Sequence, residues 1–373
     1  MPYGTIAADR ITGTNGNSIS PESSVFRNRI INGAMTIDQR NAGASVTVTT
    51  DNTQFSVDRF ILRSTASSKY SAQQNAGSVT PPVGFSNYLG ITSLAATSLG
   101  ATDYYAVEQR IEAFNYADLN WGTANAKTVT LSFWVRSSLT GTFGGNLRNS
   151  ASDYGYPFTY TISSANTWEQ KSVTVAGPTS GTWVASSNGT GIQCAFSLGT
   201  GSTYSGTANT WANTFYGSAT GATSVVGTNG ATFYLTGVQL EVGSTATSFD
   251  YRPFGTELQL CQRYYYNIFG TASDFQAFGC GVWLSSTVGK VLIDLPVPLR
   301  VVPTLEAASL RLFDAVASTT RSATGFSIAY TVTPTNKAFI DVSVGSSSAS
   351  AGNACLAVLN TSTSARVGFS AEL

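Results

Sequence analysis

The stretch KTVTLSFWVR, residues 127–136, decides the fold. In an extended chain Val129, Leu131, Phe133 and Val135 fall on one side, and Thr130, Ser132, Trp134 and Arg136 on the other. A period of two marks a strand with one buried face. The same alternation predicts strands in SVTVTT (45–50), KSVTVAG (171–177), GIQCAFSLG (191–199), TFYLTGVQLEVG (232–243), KVLIDLPV (290–297), AFIDVSV (338–344) and ACLAVLN (354–360). Between them the clusters TGTFGGN (140–146), SSNGTG (186–191) and VGTNGA (226–231) read as turns, rich in residues that tolerate positive φ. Tyr204, Trp211, Phe215 and Tyr216 interrupt the Gly/Ser/Thr-rich run 196–229, which reads as a long loop near a sandwich rim.

Composition supports many short strands. Only 11% of the 373 residues are charged, against roughly 25% in ordinary soluble domains. Twenty basic residues balance 20 acidic ones, so no global field favours nucleic acid or an anionic membrane. No apolar window is long enough to insert in a membrane, and no apolar leader is read at the amino terminus. Histidine is absent, which excludes Ser-His-Asp and Cys-His catalysis and any His-ligated metal. Cys194, Cys261, Cys280 and Cys355 are too dispersed for a zinc site and read as small buried thiols. A Cys261–Cys280 pair is an alternative that spacing alone does not favour. No catalytic residue, cofactor or metal ligand is assigned; a structural calcium stays open, although no dense run of Asp is present.

One helix is expected, in FGTELQLCQRYYY (254–266), with Thr256 as N-cap, Glu257 in the first turn, and Leu258, Cys261 and Tyr265 sharing a face. The chain then divides into an extended arm (1–27), a sandwich (28–253), a linker turn or helix (254–266) and a smaller β domain (267–373). The fold class expected is all-β: an N-terminal extended arm, an antiparallel jelly-roll sandwich and a smaller C-terminal β-sandwich.

An ordered set of motifs carries a resemblance: NRIINGAMTIDQRNAG (28–43), FSVDRF (55–60), YYAVEQRIE (104–112), VTLSFWVR (129–136), NTWEQKSVTV (166–175), FYLTGVQLEVGSTATSFDYRP (233–253) and ELQLCQRYYY (257–266). The set resembles a module common in tail fibre and other virion proteins of tailed bacteriophages, similar in turn to jelly-roll carbohydrate-binding modules. Met35 and Phe60 replace aromatic residues usual at those places, both apolar exchanges suited to the same packing. The opening MPYGTIAADRITGTNGNSIS resembles a segment that begins some phage fibre and decoration proteins, and LPVPLRVVPTL (295–305) with GFSAEL (368–373) resembles a domain that often follows in them.

The resemblance implies a structural virion protein, with the tail favoured over the head surface. Its arm, represented by Ile6, Asp9 and Ile11, would dock on other virion proteins by strand addition. Homotrimers are usual in such proteins, so the partners expected are copies of itself, other virion proteins and host surface glycans. The alternative is a capsid decoration or cement protein that stabilises the head; a polysaccharide depolymerase is more distant, because the carboxylates sit in structural-looking motifs. An enzyme is not expected. Tyr154, Tyr156, Trp183 and Trp211, flanked by small polar residues, are the candidate exposed rim for glycan or surface contact. Arg252, Glu257, Arg263, Tyr264 and Tyr265 are read as interdomain structural residues.

Overall fold

The computed structural model describes residues 11–12, 18–19, 26–51, 53–270, 275–329, 336–345 and 349–373. Of the arm residues, Ile6 and Asp9 lie outside the described residues. Ile11 lies in β1 (Ile11–Thr12), which pairs with β2 (Ser18–Ile19) in a two-residue antiparallel ladder. The chain forms two compact units, residues 1–36 with 43–253, and residues 37–42 with 254–373.

The first unit continues with β3 (Val46–Thr47), β4 (Ile61–Ser64), β5 (Tyr70–Gln74), β6 (Leu89–Ser93) and β7 (Tyr104–Glu112). Next come β8 (Val129–Ser137), β9 (Gly141–Asn149), β10 (Gly155–Ile162), β11 (Glu169–Val175) and β12 (Thr190–Thr200). The short β13 (Ser205–Gly206) and β14 (Ser218–Ala219) precede β15 (Thr232–Val242). Two antiparallel sheets result, ordered β10-β9-β12-β7-β4 and β11-β8-β15-β6-β5-β3. Their inner faces meet in one core, where Phe133 of the second sheet packs edge-on against Phe196 and Tyr160 of the first, each at 4.9 Å between ring centres. The expected all-β sandwich is therefore present. Val129, Leu131, Phe133 and Val135 are all fully buried, so the alternation in β8 is the alternation of the core.

In β15 the alternation changes phase. Phe233 and Leu235 face inward before Gly237, Val238 and Leu240 after it. The register against β8 shifts between Thr236 and Gln239, and Gly237 takes φ +61° at that bulge. A Cβ there would meet the Phe85 ring at 2.6 Å, so glycine is required both by backbone and by space. The motif around the bulge ties the unit's start to its end. Asn28 donates through Nδ2 to Val238 O and accepts from the amides of Ile30 and Leu240. Arg252 donates to the carbonyls of Asn28 and Ile30, and Asp250 accepts from the Asn28 amide. Glu241 accepts from Gln239 and from the amide and hydroxyl of Thr247, closing the STATSFD loop.

The cluster TGTFGGN is not a turn but most of β9. Its glycines answer crowding: a Cβ on Gly145 would strike Ala195 O and the Phe158 ring, and one on Gly144 would strike Ser218 Oγ. SVTVTT shortens to the two residues of β3.

The second unit opens with α1 (Phe254–Gln262), which begins directly after Pro253 and so places Thr256 within the helix rather than at its cap. It continues with β16 (Tyr265–Phe269), β17 (Gln276–Trp283), β18 (Val288–Asp294), β19 (Thr304–Ala308) and β20 (Leu310–Asp314). The last strands are β21 (Thr319–Ile328), β22 (Lys337–Val344), β23 (Ala354–Leu359) and β24 (Arg366–Ser370). One sheet has the order β16-β24-β19; the other closes as a six-stranded barrel, β17-β18-β22-β21-β20-β23. Alternation does not distinguish a closed sheet from one leaf of an open sandwich, and closure removes the barrel's edges. Segment 254–266 thus splits into helix and strand: Tyr265 leaves the helical face with Leu258 and Cys261 because it pairs with Ser370. Tyr264 and Tyr265 are fully buried. The Arg40 guanidinium lies 3.5 Å from the centre of the Tyr265 ring and pairs with Glu372 at 3.2 Å, while Gln39 Nε2 donates to Tyr265 O. Glu257 stands in the first turn of α1, and the Arg263 carbonyl accepts from the Arg300 amide.

Candidate functional site

The structure brings Tyr154, Tyr156, Trp183 and Trp211 into one cluster, joined by Trp121 and Tyr116. Tyr154 stacks on Trp211 with ring centres 5.6 Å apart and planes 17° from parallel. Trp183 meets Trp211 edge-on at 5.7 Å and Trp121 at 4.8 Å. Two glycines at positive φ let the loops come close. A Cβ on Gly181 would meet the Tyr154 ring at 2.8 Å, and one on Gly122 would meet Trp183 at 2.9 Å. Every indole N–H of the cluster is spent on a backbone carbonyl: Trp121 on Lys127, Trp183 on Ser180, Trp211 on Ala176. The Tyr154 hydroxyl lies 2.8 Å from Ser180 Oγ. What the half-exposed Tyr154, Trp183 and Trp211 present outward is therefore ring, an apolar surface with a negative π face. Tyr156 departs from the expected exposed rim. It faces inward from β10 with 8% exposure and supports Trp211 from beneath at 5.1 Å.

Beside this cluster, the outer face of the β10-β9-β12-β7-β4 sheet carries a charged network. Glu108, in β7, has no solvent exposure, and its carboxylate pairs with Arg63 at 2.8 Å, Arg110 at 3.2 Å and Arg148. Burial alone would raise its pKa. The three guanidinium groups, Arg148 foremost, outweigh that and hold it at about 2, down from 4.5. Arg148 also donates to Asn146 Oδ1, Gln193 Oε1, Ser152 Oγ and the Tyr104 hydroxyl. The loop 201–217 lies over this face, fixed by Asn146 Nδ2 donating to Gly217 O. Between loop and sheet is a cleft of about 210 Å³ lined by Arg63, Ser64, Thr65, Tyr104, Arg148, Ser152 and Phe215. The turn from Ser150 to Tyr154 joins cleft and cluster, with Ser152 in one and Tyr154 in the other.

Arg110 stands two residues from Glu108 in the sequence, whereas Arg63 and Arg148 reach it from β4 and β9 and carry no local signal. Sequence reasoning also missed Trp121, although its flanks Asn120, Gly122 and Thr123 carry the same small polar signal as those of Trp183 and Trp211. The cysteines are all free, but Cys280 is exposed rather than buried, which corrects the expectation of four interior thiols. Burial pushes the Cys194 thiol up to about 12. Among the described residues no group of three or more His, Cys, Asp or Glu is placed to hold a metal ion, and no helix is long and apolar enough to cross a membrane.

No protein-family model and no curated protein matches this chain. Solved structures give distant likenesses. The enzymatically active domain of bacteriophage CBA120 tailspike protein 4 is 11% identical with a TM-score of 0.32; the likeness covers 59% of this chain and 22% of that one. A putative sugar-binding protein from Bacteroides thetaiotaomicron is 9% identical, with a TM-score of 0.35 and coverage of 58% and 100%. A family 11 carbohydrate-binding module from Clostridium thermocellum, in complex with a mixed-linked tetrasaccharide, is 10% identical, with a TM-score of 0.26 and coverage of 56% and 100%. Likenesses at these scores assign no activity.

Proposed function

We propose that this chain is a structural virion protein of a tailed phage, of the tail fibre kind, and that its sandwich unit binds host surface glycans through the aromatic cluster. The resemblance of the motif set to phage virion proteins supports the first part. The observation that carries the second is the convergence of Tyr154, Trp183 and Trp211, from three separate loops, into one half-exposed ring surface. Sugar rings lay their C–H faces on such surfaces, and the rings need no induced fit because their polar tips are already hydrogen-bonded, the two indoles to backbone and Tyr154 to Ser180 Oγ. Glu108, the carboxylate beside the cleft, is not suited to protonate a glycosidic oxygen. A general acid must hold a proton near working pH, and this carboxylate stays ionised. Binding at one such patch is weak, and several copies per particle would raise the avidity.

The test is a glycan array of bacterial surface polysaccharides probed with the whole chain and with Trp183→Ala and Trp211→Ala. The reading predicts retention by the native chain on a subset of glycans, and a drop of tenfold or more in each variant, the order of one lost aromatic stack (about 1.5 kcal/mol). Equal retention of both variants would contradict it.

A further inference from the structure

We propose that the cleft over the outer face of the β10-β9-β12-β7-β4 sheet receives the carboxylate of an acidic sugar, so that the glycan bound by this unit is anionic. The inference rests on the glycan-binding reading and names its ligand class.

The donors of the cleft decide the chemistry. A serine hydroxyl has one hydrogen to donate and two lone pairs to accept with. Ser152 Oγ already accepts from Arg148 Nε and from Gln193 Nε2, each at 3.1 Å. Its own hydrogen is left to donate into the cleft that it lines. The Tyr104 hydroxyl is in the same state, accepting from Arg148 Nη1 and Asn146 Nδ2, each at 3.4 Å. The other lining hydroxyls are spent: Thr65 Oγ1 donates to Asp103, and Ser64 Oγ donates to Ala66 O. Two hydroxyl donors therefore point into a cleft whose lining holds two arginines and no carboxylate.

The charge behind them is fixed. Arg148 distributes its N–H groups among Ser152, Tyr104, Asn146, Glu108 and Gln193, and its side chain is only 4% exposed. It acts on a ligand through the hydroxyls it polarises. Arg63 and Arg148, which both line the cleft, converge on the Glu108 carboxylate behind it. Of the acids flanking the lining in sequence, Asp103 accepts from the Gly100 amide and Thr65, and Asp153 accepts from Asn149. Two free hydroxyl donors backed by arginine match an acceptor-only anion, which gains more from them than a neutral sugar hydroxyl does. The cleft volume is below the roughly 300–1,000 Å³ of drug-sized ligand sites, which suits one sugar residue with Tyr104 and Phe215 as its walls.

The experiment is calorimetric titration of the whole chain with a panel of uronic-acid and sialic-acid oligosaccharides and their carboxyl-reduced, neutral counterparts. At least one acidic member should bind about tenfold or more tightly than its reduced form, and the gap should narrow as salt rises. Ser152→Ala and Tyr104→Phe, each checked for an unchanged melting curve, should lower acidic binding about tenfold and leave the reduced sugar unaffected. If acidic and reduced forms bind equally while Trp211→Ala weakens both, the anionic cleft is overturned and glycan binding stands. If no member of the panel binds, the glycan reading falls and this inference with it.

Discussion

Glu108 is a carboxylate that three arginines keep charged inside a sheet face, and its ionisation is coupled to folding. Its pKa in the folded chain lies below the unfolded value, so the charged form stabilises the fold above about pH 4.5, and that contribution is lost as pH falls from 4.5 toward 2. Urea denaturation should show stability declining through that window. In Glu108→Gln the decline should flatten, while stability at pH 7 drops by about 3–5 kcal/mol because the arginines lose their counter-charge. A variant as stable as the native chain at pH 7 would refute the arrangement. Thiol chemistry gives a second check at this scale. Cys280 should react with a thiol reagent in the native chain, and Cys194, Cys261 and Cys355 only after unfolding. The sequence shows Arg110 two residues from Glu108, but Arg148 lies 40 residues away and Arg63 45. No local pattern joins them, and only the strand register does.

At the scale of elements, hydrophobic alternation was a sound guide to strands because the core takes every second side chain; β8, β12, β15, β18, β22 and β23 all stand where it put them. It failed where glycine serves packing instead of turning. Gly144 and Gly145 look like turn residues in sequence, yet they lie mid-strand because neighbours occupy the space a side chain would need. It also could not show the phase change in β15, which depends on one residue of positive φ. Gly237→Val should therefore destabilise the first unit by about 2 kcal/mol or more, through strain at φ +61° and collision with Phe85. Thermal melting measures it; a neutral substitution would mean that the bulge is not rigid. The candidate rim was legible for a different reason: aromatic residues set among Gly, Ser, Thr and Asn have few local apolar neighbours to bury them. Tyr156 broke the rule because it stands on the inward parity of β10, opposite Leu147.

At the scale of the molecule, the second unit draws residues 37–42 out of the amino-terminal sequence into its own packing. Arg40→Ala should leave the Tyr265 ring and Glu372 without their shared cation. Hydrogen exchange of the β16 and β24 amides should then accelerate, while exchange in β8 and β12 stays at the native rate. Faster exchange in both units, or in neither, would be inconsistent with that division. For the particle, antibody against residues 267–373 should label the tail of intact virions in electron micrographs. Label spread over the head would replace fibre function with capsid decoration.

The most direct test of the central claim reads the six tryptophans separately. Indole N–H signals can be followed by NMR as a host surface polysaccharide is added to the whole chain. The account predicts that the signals of Trp183 and Trp211 shift together and saturate, while those of Trp134, Trp168 and Trp283 hold still. Saturable binding that leaves Trp183 and Trp211 unmoved would contradict it.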